Sequence, residues 1–238
     1  MKSSMKYIPL FIALLPYASC TETASVFDTE IAIVVDKTDR MSIYPNADEI
    51  ISQLGLKDNP WQGVRIAATY ISDRDVNDVT VLKLEAENEW SGNIMIRKAK
   101  IKQFIKQLQQ CLTAMQYSGT CPYSIVYRAI AGQANRLAVS KAKRKFLLVY
   151  SDLYEHGTDI SFYDAKVIKR IHENPQSVAV QLEATAPLKP LKGLQLWFIY
   201  NPASFEENNR YMTVANFYQH LFTAHGAVAH ITNKFIPL

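Results

Sequence analysis

Two short polar stretches hold the side chains best able to do chemistry. Residues 36–40 read Asp36-Lys37-Thr38-Asp39-Arg40, which puts two carboxylates, two cations and a hydroxyl in one run. Residues 151–152 read Ser151-Asp152. Each stretch follows directly on an apolar run: IAIVV over 31–35 before the first, KFLLVY over 145–150 before the second. Such runs suit strands buried on both faces, as in the middle of a parallel sheet. In an open α/β sheet, ligands gather at the carboxyl ends of the strands, so these two acidic turns mark where a site is to be sought.

The remaining pattern supplies the elements that must position those turns. Asn46 and Glu49 stand in capping-box spacing before a helix whose inner stripe is Ile50, Ile51 and Leu54, and Gly55 ends it. Residues 64–72 and 79–85 read as two strands, and the short polar segment 73–78 between them predicts an antiparallel hairpin. The clearest helix covers 100–117, with Ile101, Phe104, Ile105, Leu108, Leu112 and Met115 on one stripe. Ser118-Gly119-Thr120 breaks it. Pro122 then suits the first turn of a second helix, with Ile125, Val126, Ala129, Ile130 and Leu137 inward. Residues 162–173 are helical by pattern and closed by Asn174-Pro175, 177–183 carry a strand-like run, and 186–192 form a loop around Pro187 and Pro190. A strand over 194–200, a helix over about 208–224 capped by Gly226, and a strand over 228–232 complete the chain. No internal repeat and no second domain is visible.

At 238 residues, 48% apolar and 20% charged, the chain is long enough for one domain with a sizeable core. It is neither disordered nor a multi-span membrane protein by composition. The net charge of +4 is mild. The basic clusters, Lys141 with Lys143, Arg144 and Lys145, and a looser one from Arg97 to Lys106, read as solvated faces. No aromatic residues interleave with them as a nucleic-acid platform requires, so nucleic acid is not an expected partner.

Residues 1–20 follow a separate logic. Lys2 and Lys6 form a positive region, 7–15 (YIPLFIALL) a short apolar one, and the small residues Ala18 and Ser19 precede Cys20. The apolar run is too short to span a bilayer, which predicts an export signal. PYASC resembles a bacterial lipobox, although Tyr17 stands where leucine is usual. The expected organisation is a lipoprotein-type signal peptide over 1–20, a tether over 21–29 and one domain over 30–238. Lipidation at Cys20 would hold the exported protein at the periplasmic or outer face of the envelope and make the lipid its membrane contact. Export also bears on Cys111 and Cys121, which flank the helix-to-helix turn. They could pair in an oxidising compartment. Alternatively Cys111 is a buried thiol on a helix face and Cys121 a free one. No CxxC or His-rich spacing points to zinc.

The element order is strand, helix, hairpin, two helices, strand, helix, strand, helix, strand. It resembles a von Willebrand factor A domain, and residues at the strand ends agree. Asp36-Lys37-Thr38-Asp39-Arg40 lies where that family carries Asp-x-Ser-x-Ser, Ser118-Gly119-Thr120 where it often reads Gly-Gly-Thr, and Ser151-Asp152-Leu153 where it reads Ser-Asp-Gly. The resemblance implies a Rossmann-like α/β fold: a mostly parallel sheet of about six strands, one antiparallel edge hairpin and helices on both faces. It also implies a metal-ion-dependent adhesion site in which Asp36, Thr38, Thr120 and Asp152 match ligand positions for Mg²⁺ or another divalent cation. Arg40 takes the place of the second serine. A guanidinium has no acceptor and cannot ligate a metal, but it could pair with Asp36 or Asp152 in the ion's stead. The function so implied is non-enzymatic binding of an envelope protein, through a degenerate site formed by Asp36, Thr38, Asp39, Arg40, Thr120 and Asp152.

The rival reading is enzymatic. Asp36-Lys37-Thr38 is also similar to the nucleophile motif of haloacid-dehalogenase-type phosphotransferases, in which the Asp is phosphorylated beside Mg²⁺. Thr38 stands where the phosphatases carry a second Asp, and Asp39-Arg40 where the P-type ATPases carry Gly-Thr. No Gly-x-Ser-x-Gly elbow supports a serine hydrolase. Lys37 and Asp39 also fit as solvated loop residues, and His156 as a polar-loop residue near Asp152. His220, His225 and His230, five apart, do not share one helical face.

Overall fold

The structure, a computed structural model, describes residues 27–38, 43–73, 77–116 and 123–236. They form one six-stranded sheet between two layers of helix. In chain order the elements are β1 (Thr29–Asp36), α1 (Ala47–Leu54), β2 (Val64–Ile71), β3 (Thr80–Leu84), α2 (Ile94–Ala114), α3 (Val126–Ala138), β4 (Arg144–Tyr150), α4 (Ala165–Glu173), α5 (Pro175–Glu183), β5 (Leu194–Ile199), α6 (Phe205–Ala224) and β6 (Val228–Thr232). The strand order is β3-β2-β1-β4-β5-β6, and every pair is parallel except β2–β3. The expected α/β class and edge hairpin are present.

Alternation along β1 divides the core in two. Ala32 and Val34 face the layer of α3, α4, α5 and α6, while Ile31, Ile33 and Val35 face α1 and α2. Every β1 residue is buried, as a strand covered on both faces requires. On the second face, Phe235 folds back edge-on to Trp197, and His230 stacks on the same indole with ring centres 4.7 Å apart. The fold also takes in Phe27 and Asp28, which the sequence placed in the tether: Phe27 is buried and the Asp28 N–H donates to Gly63 O.

Several boundaries differ from the sequence reading. Residues 177–183 are not a strand but most of α5. Asn174 ends α4, and its side chain also accepts from Ser177 N–H to cap α5, with Pro175 in the first turn. Val178, Ala179 and Leu182 then turn one face to the core. Helix α2 begins at Ile94, six residues before the expected start, because the Asn93 side chain accepts from Met95 and Ile96 N–H. Helix α6 begins at Phe205, capped by Ser204, and α3 begins at Val126. Arg97 is not on a solvated face. Its side chain is 0% exposed. Among the described residues no helix is long and apolar enough to cross a membrane.

Candidate functional site

After β1 the chain crosses to the α1 layer, and after β4 to the α4 layer. The two strands are neighbours, so a crevice opens between their carboxyl ends at the point where the sheet reverses its winding. Asp36 is the last residue of β1, and Ser151 and Asp152 follow β4 directly.

Asp36 is 2% exposed, yet its carboxylate is well supplied with donors. Oδ1 accepts the Thr38 N–H at 2.9 Å and the Thr38 hydroxyl at 2.6 Å, and Oδ2 accepts the Ser151 hydroxyl at 2.9 Å. A buried carboxylate is tolerable only with such compensation. The web extends to Ser124, whose Oγ lies 3.2 Å from Thr38 Oγ1. Ser124 is brought there by a two-way backbone bridge to His156, 2.9 Å in each direction, while Ile125 N–H reaches Ser72 O at the end of β2. Three loops thus converge on Thr38 and Asp36.

Of the residues expected at the site, Asp36 and Thr38 come together here. Asp152 lines the adjoining cavity and accepts the Tyr154 N–H at 3.0 Å. Asp39, Arg40, Thr120, Cys20 and Cys121 lie outside the described residues. Lys37 Nζ sits 4.7 Å from the centre of the Tyr70 ring. Cys111 is half-buried on α2, where desolvation pushes its thiol pKa up, partly offset by Thr80. His156 Nδ1 is 3.0 Å from Ser161 Oγ, and its ring packs between Tyr123 and Tyr163.

Sequence reasoning missed Glu155. It is 4% exposed and its Oε2 accepts the Tyr127 N–H at 2.6 Å, with Val126 N–H bonding the same carboxyl. The first residues of α3 have no cap of their own, so a carboxylate from the β4 loop caps that helix from a distance. Desolvation nevertheless dominates and lifts its pKa to about 7, against the helix amides, the Tyr218 hydroxyl and Arg128, which favour the charged form. Nothing in the sequence near Glu155 signals this, because its partner lies 28 residues away.

Beside Asp152 opens a cavity of about 230 Å³, lined also by Tyr154, Tyr163, Tyr200, Tyr211, Glu207 and Arg210. It continues past Tyr154 and Tyr163 into a second hollow of about 420 Å³ between α4 and α6, and past Tyr200 and Tyr211 into a third of about 400 Å³ toward β6. Together they make an aromatic cleft along α6 over the ends of β4, β5 and β6. Its walls are braced: the Tyr200 hydroxyl and the Ala203 N–H both bond Glu207, holding that carboxyl below its usual range. Tyr154 and Tyr163 rings pack 5.2 Å apart. Arg210 is exposed at the rim.

The donors around Asp36 are hard oxygens of the kind a divalent cation accepts. Among the described residues no three His, Cys, Asp or Glu side chains gather as a metal set. A hard ion would therefore depend on the hydroxyls of Thr38 and Ser124 with Asp36 and Asp152. The 3.2 Å between the two hydroxyl oxygens is close to the ~3 Å separating adjacent ligands of octahedral Mg²⁺. As a phosphotransferase nucleophile Asp36 is badly placed, since both its oxygens accept hydrogen bonds and almost none of it is exposed.

No family model and no curated protein matches the chain. Among solved structures it is similar to an aerotolerance-related membrane protein from Bacteroides fragilis NCTC 9343, at 9% identity over 86% of this chain and 92% of that one, with a TM-score of 0.32. It is similar to the same degree to the conserved hypothetical protein BatB from Bacteroides thetaiotaomicron, at 9% identity over 87% of this chain and 91% of that one, with a TM-score of 0.32. Likeness at that level carries no argument about the site, which is read from its own geometry.

Proposed function

We propose that the chain is a non-enzymatic, lipid-anchored envelope protein that binds a protein partner across the carboxyl ends of its strands, on a von Willebrand factor A-like domain whose metal site is degenerate. The observation that carries the reading is the tyrosine-lined cleft opening beside Asp152 at the winding switch, with Arg210 at its rim. Tyrosine supplies large contact area at little conformational cost and arginine supplies directional hydrogen bonds, the composition of interface hot spots. Support for the A-domain likeness comes from Leu153. It stands where that family carries glycine, and its φ of 66° is the left-handed conformation glycine favours. Docking on this face does not need an ion, because Asp36 already has three donors from within the chain.

A photo-crosslinking residue placed at Tyr163, exposed beside the cleft, is expected to give one discrete protein adduct in cells. The same residue at exposed Val180 on α5 should give none, and Arg210→Glu should abolish the Tyr163 adduct. Equal labelling from both positions, or a Tyr163 adduct indifferent to Arg210→Glu, would remove the cleft from the interface. Calorimetric titration with Mg²⁺ and Mn²⁺ is expected to give no binding heat. Heat that vanishes in Asp152→Ala would restore the ion to the site.

A further inference from the structure

At the opposite end of the sheet, the amino ends of the parallel strands, the loop between β3 and α2 displays an apolar group to solvent. Trp90 is 97% exposed, Met95 72% and Ile96 55%. Scattered exposed apolar residues need no explanation, but a tryptophan with two large neighbours on one loop and first helical turn does. The display is also built to hold. The Asn88 side chain accepts the Trp90 N–H at 2.8 Å, and the Asn88 carbonyl accepts the Gly92 N–H at 2.8 Å. Gly92 is packed so closely on Trp61 that a Cβ would lie 2.4 Å from the indole ring.

Beneath this loop runs Arg97. Its Nε donates to Pro60 O at 2.5 Å, one terminal nitrogen to Glu85 O at 2.7 Å and the other to Gln62 O at 2.7 Å. One buried guanidinium therefore joins the loop after α1, the exit of β3 and the start of α2.

The place where the chain enters the fold lies at this same end. Asp28 N–H bonds Gly63 O, and a Cβ on Gly63 would touch both Phe27 and Ala86. Cys20 precedes Phe27 by seven residues, a reach of at most about 25 Å even when fully extended. A lipid on Cys20 would keep this face near the bilayer, while the aromatic cleft lies at the far ends of strands themselves ~25 Å long.

We propose that the Trp90–Met95–Ile96 surface is a membrane-docking face, entering the headgroup region of a phospholipid bilayer to which the chain is tethered. This rests on the lipid-anchored reading above and extends it, for it makes the bilayer a surface the domain sits on rather than only the place where its lipid is held. Tryptophan, with an apolar body and one N–H donor, suits the interfacial layer, and methionine and isoleucine suit the hydrocarbon just below it. Lys57, Lys141, Lys143, Arg144 and Lys192 are exposed at this end, with Asp58 and Glu89 among them, so cations that suit an anionic headgroup layer flank the apolar group. Docking would orient the cleft away from the membrane, toward a partner in the compartment beyond.

The test uses the full chain with vesicles of phosphatidylethanolamine and phosphatidylglycerol carrying bromine on their acyl chains, which quenches tryptophan at short range. The chain is expected to float with the vesicles and to lose part of its fluorescence to the bromine, and Trp90→Ala should float equally while losing that quenching. Trp197 is buried and serves as the unquenched reference, while half-buried Trp61 beneath the loop is present in both chains, so the Trp90 contribution is the difference in quenching between them. Flotation without quenching would overturn the docking face and leave the anchor standing. A chain that does not float would overturn both. Association of two copies through this surface, seen as a dimer that Met95→Glu dissolves and with no quenching, would also overturn the proposal.

Discussion

The two ends of the sheet solve opposite problems with the same device. At the carboxyl ends, buried carboxylates are satisfied from within: Asp36 by Thr38 and Ser151, Glu155 by the first amides of α3. At the amino ends a buried guanidinium, Arg97, is satisfied by three carbonyls. In neither place does the buried charge face solvent. What does is the concave tyrosine cleft at one end and the convex Trp90 loop at the other. The comparison teaches that buried charge here fixes loops, and that contact surfaces are made by the aromatic and apolar groups those loops carry.

Breaking the anchor at the amino end should have the largest effect. Arg97→Met leaves three buried carbonyls without their donor and is expected to destabilise the fold by about 4 kcal/mol. Urea unfolding checks this, and a loss below about 1 kcal/mol would mean that water replaces the guanidinium and that the bracing argument is wrong.

At the carboxyl end the corresponding change is a pH effect. Glu155 has its folded pKa raised to about 7, above the ordinary value of 4.5. The folded state therefore holds a proton that the unfolded state releases over that interval. The stability this confers is complete below about pH 4.5 and lost as the pH rises to about 7. Relative to Glu155→Gln, the native chain should lose on the order of 3 kcal/mol across the window. Parallel stability curves for the two chains would instead mean that the helix amides and Arg128 hold the carboxylate charged.

Much of this was legible in the sequence, and the gaps have physical causes. Apolar runs ending in acids located Asp36 and Asp152, because a strand buried on both faces must stop where charge begins. Residues 177–183 misled because Ser-Val-Ala-Val is β-rich locally, while Asn174-Pro175 works both as a stop and as a start. By its neighbours in sequence Arg97 reads as a surface cation. Its burial depends on carbonyls of residues 60, 62 and 85, which only the folded chain assembles. Ser124 and Glu155 escaped for the same reason, since the Ser124–His156 bridge and the cap on α3 both join segments distant in sequence. Periodicity reads faces, not long-range partners.

A smaller effect probes the turn beside Asp36. Leu153 holds a left-handed backbone while fully buried, so it combines strain with apolar burial. Leu153→Gly relieves about 1 kcal/mol of the first and forfeits more of the second, for a net loss of about 2 kcal/mol. A stabilised Leu153→Gly chain would show that the strain outweighs the packing.

The smallest effect belongs to the residue with the largest proposed role. Trp90→Ala removes a side chain that touches little of its own protein, and the change in unfolding free energy should stay within about 0.5 kcal/mol. A residue that large, held by an Asn88 turn and worth nothing to the fold, separates support from contact at the amino end: Arg97 supports the surface and Trp90 is the surface. If Trp90→Ala instead costs about 2 kcal/mol in urea unfolding, the indole is packing on its own loop, and the amino end is a structural corner rather than a face turned outward.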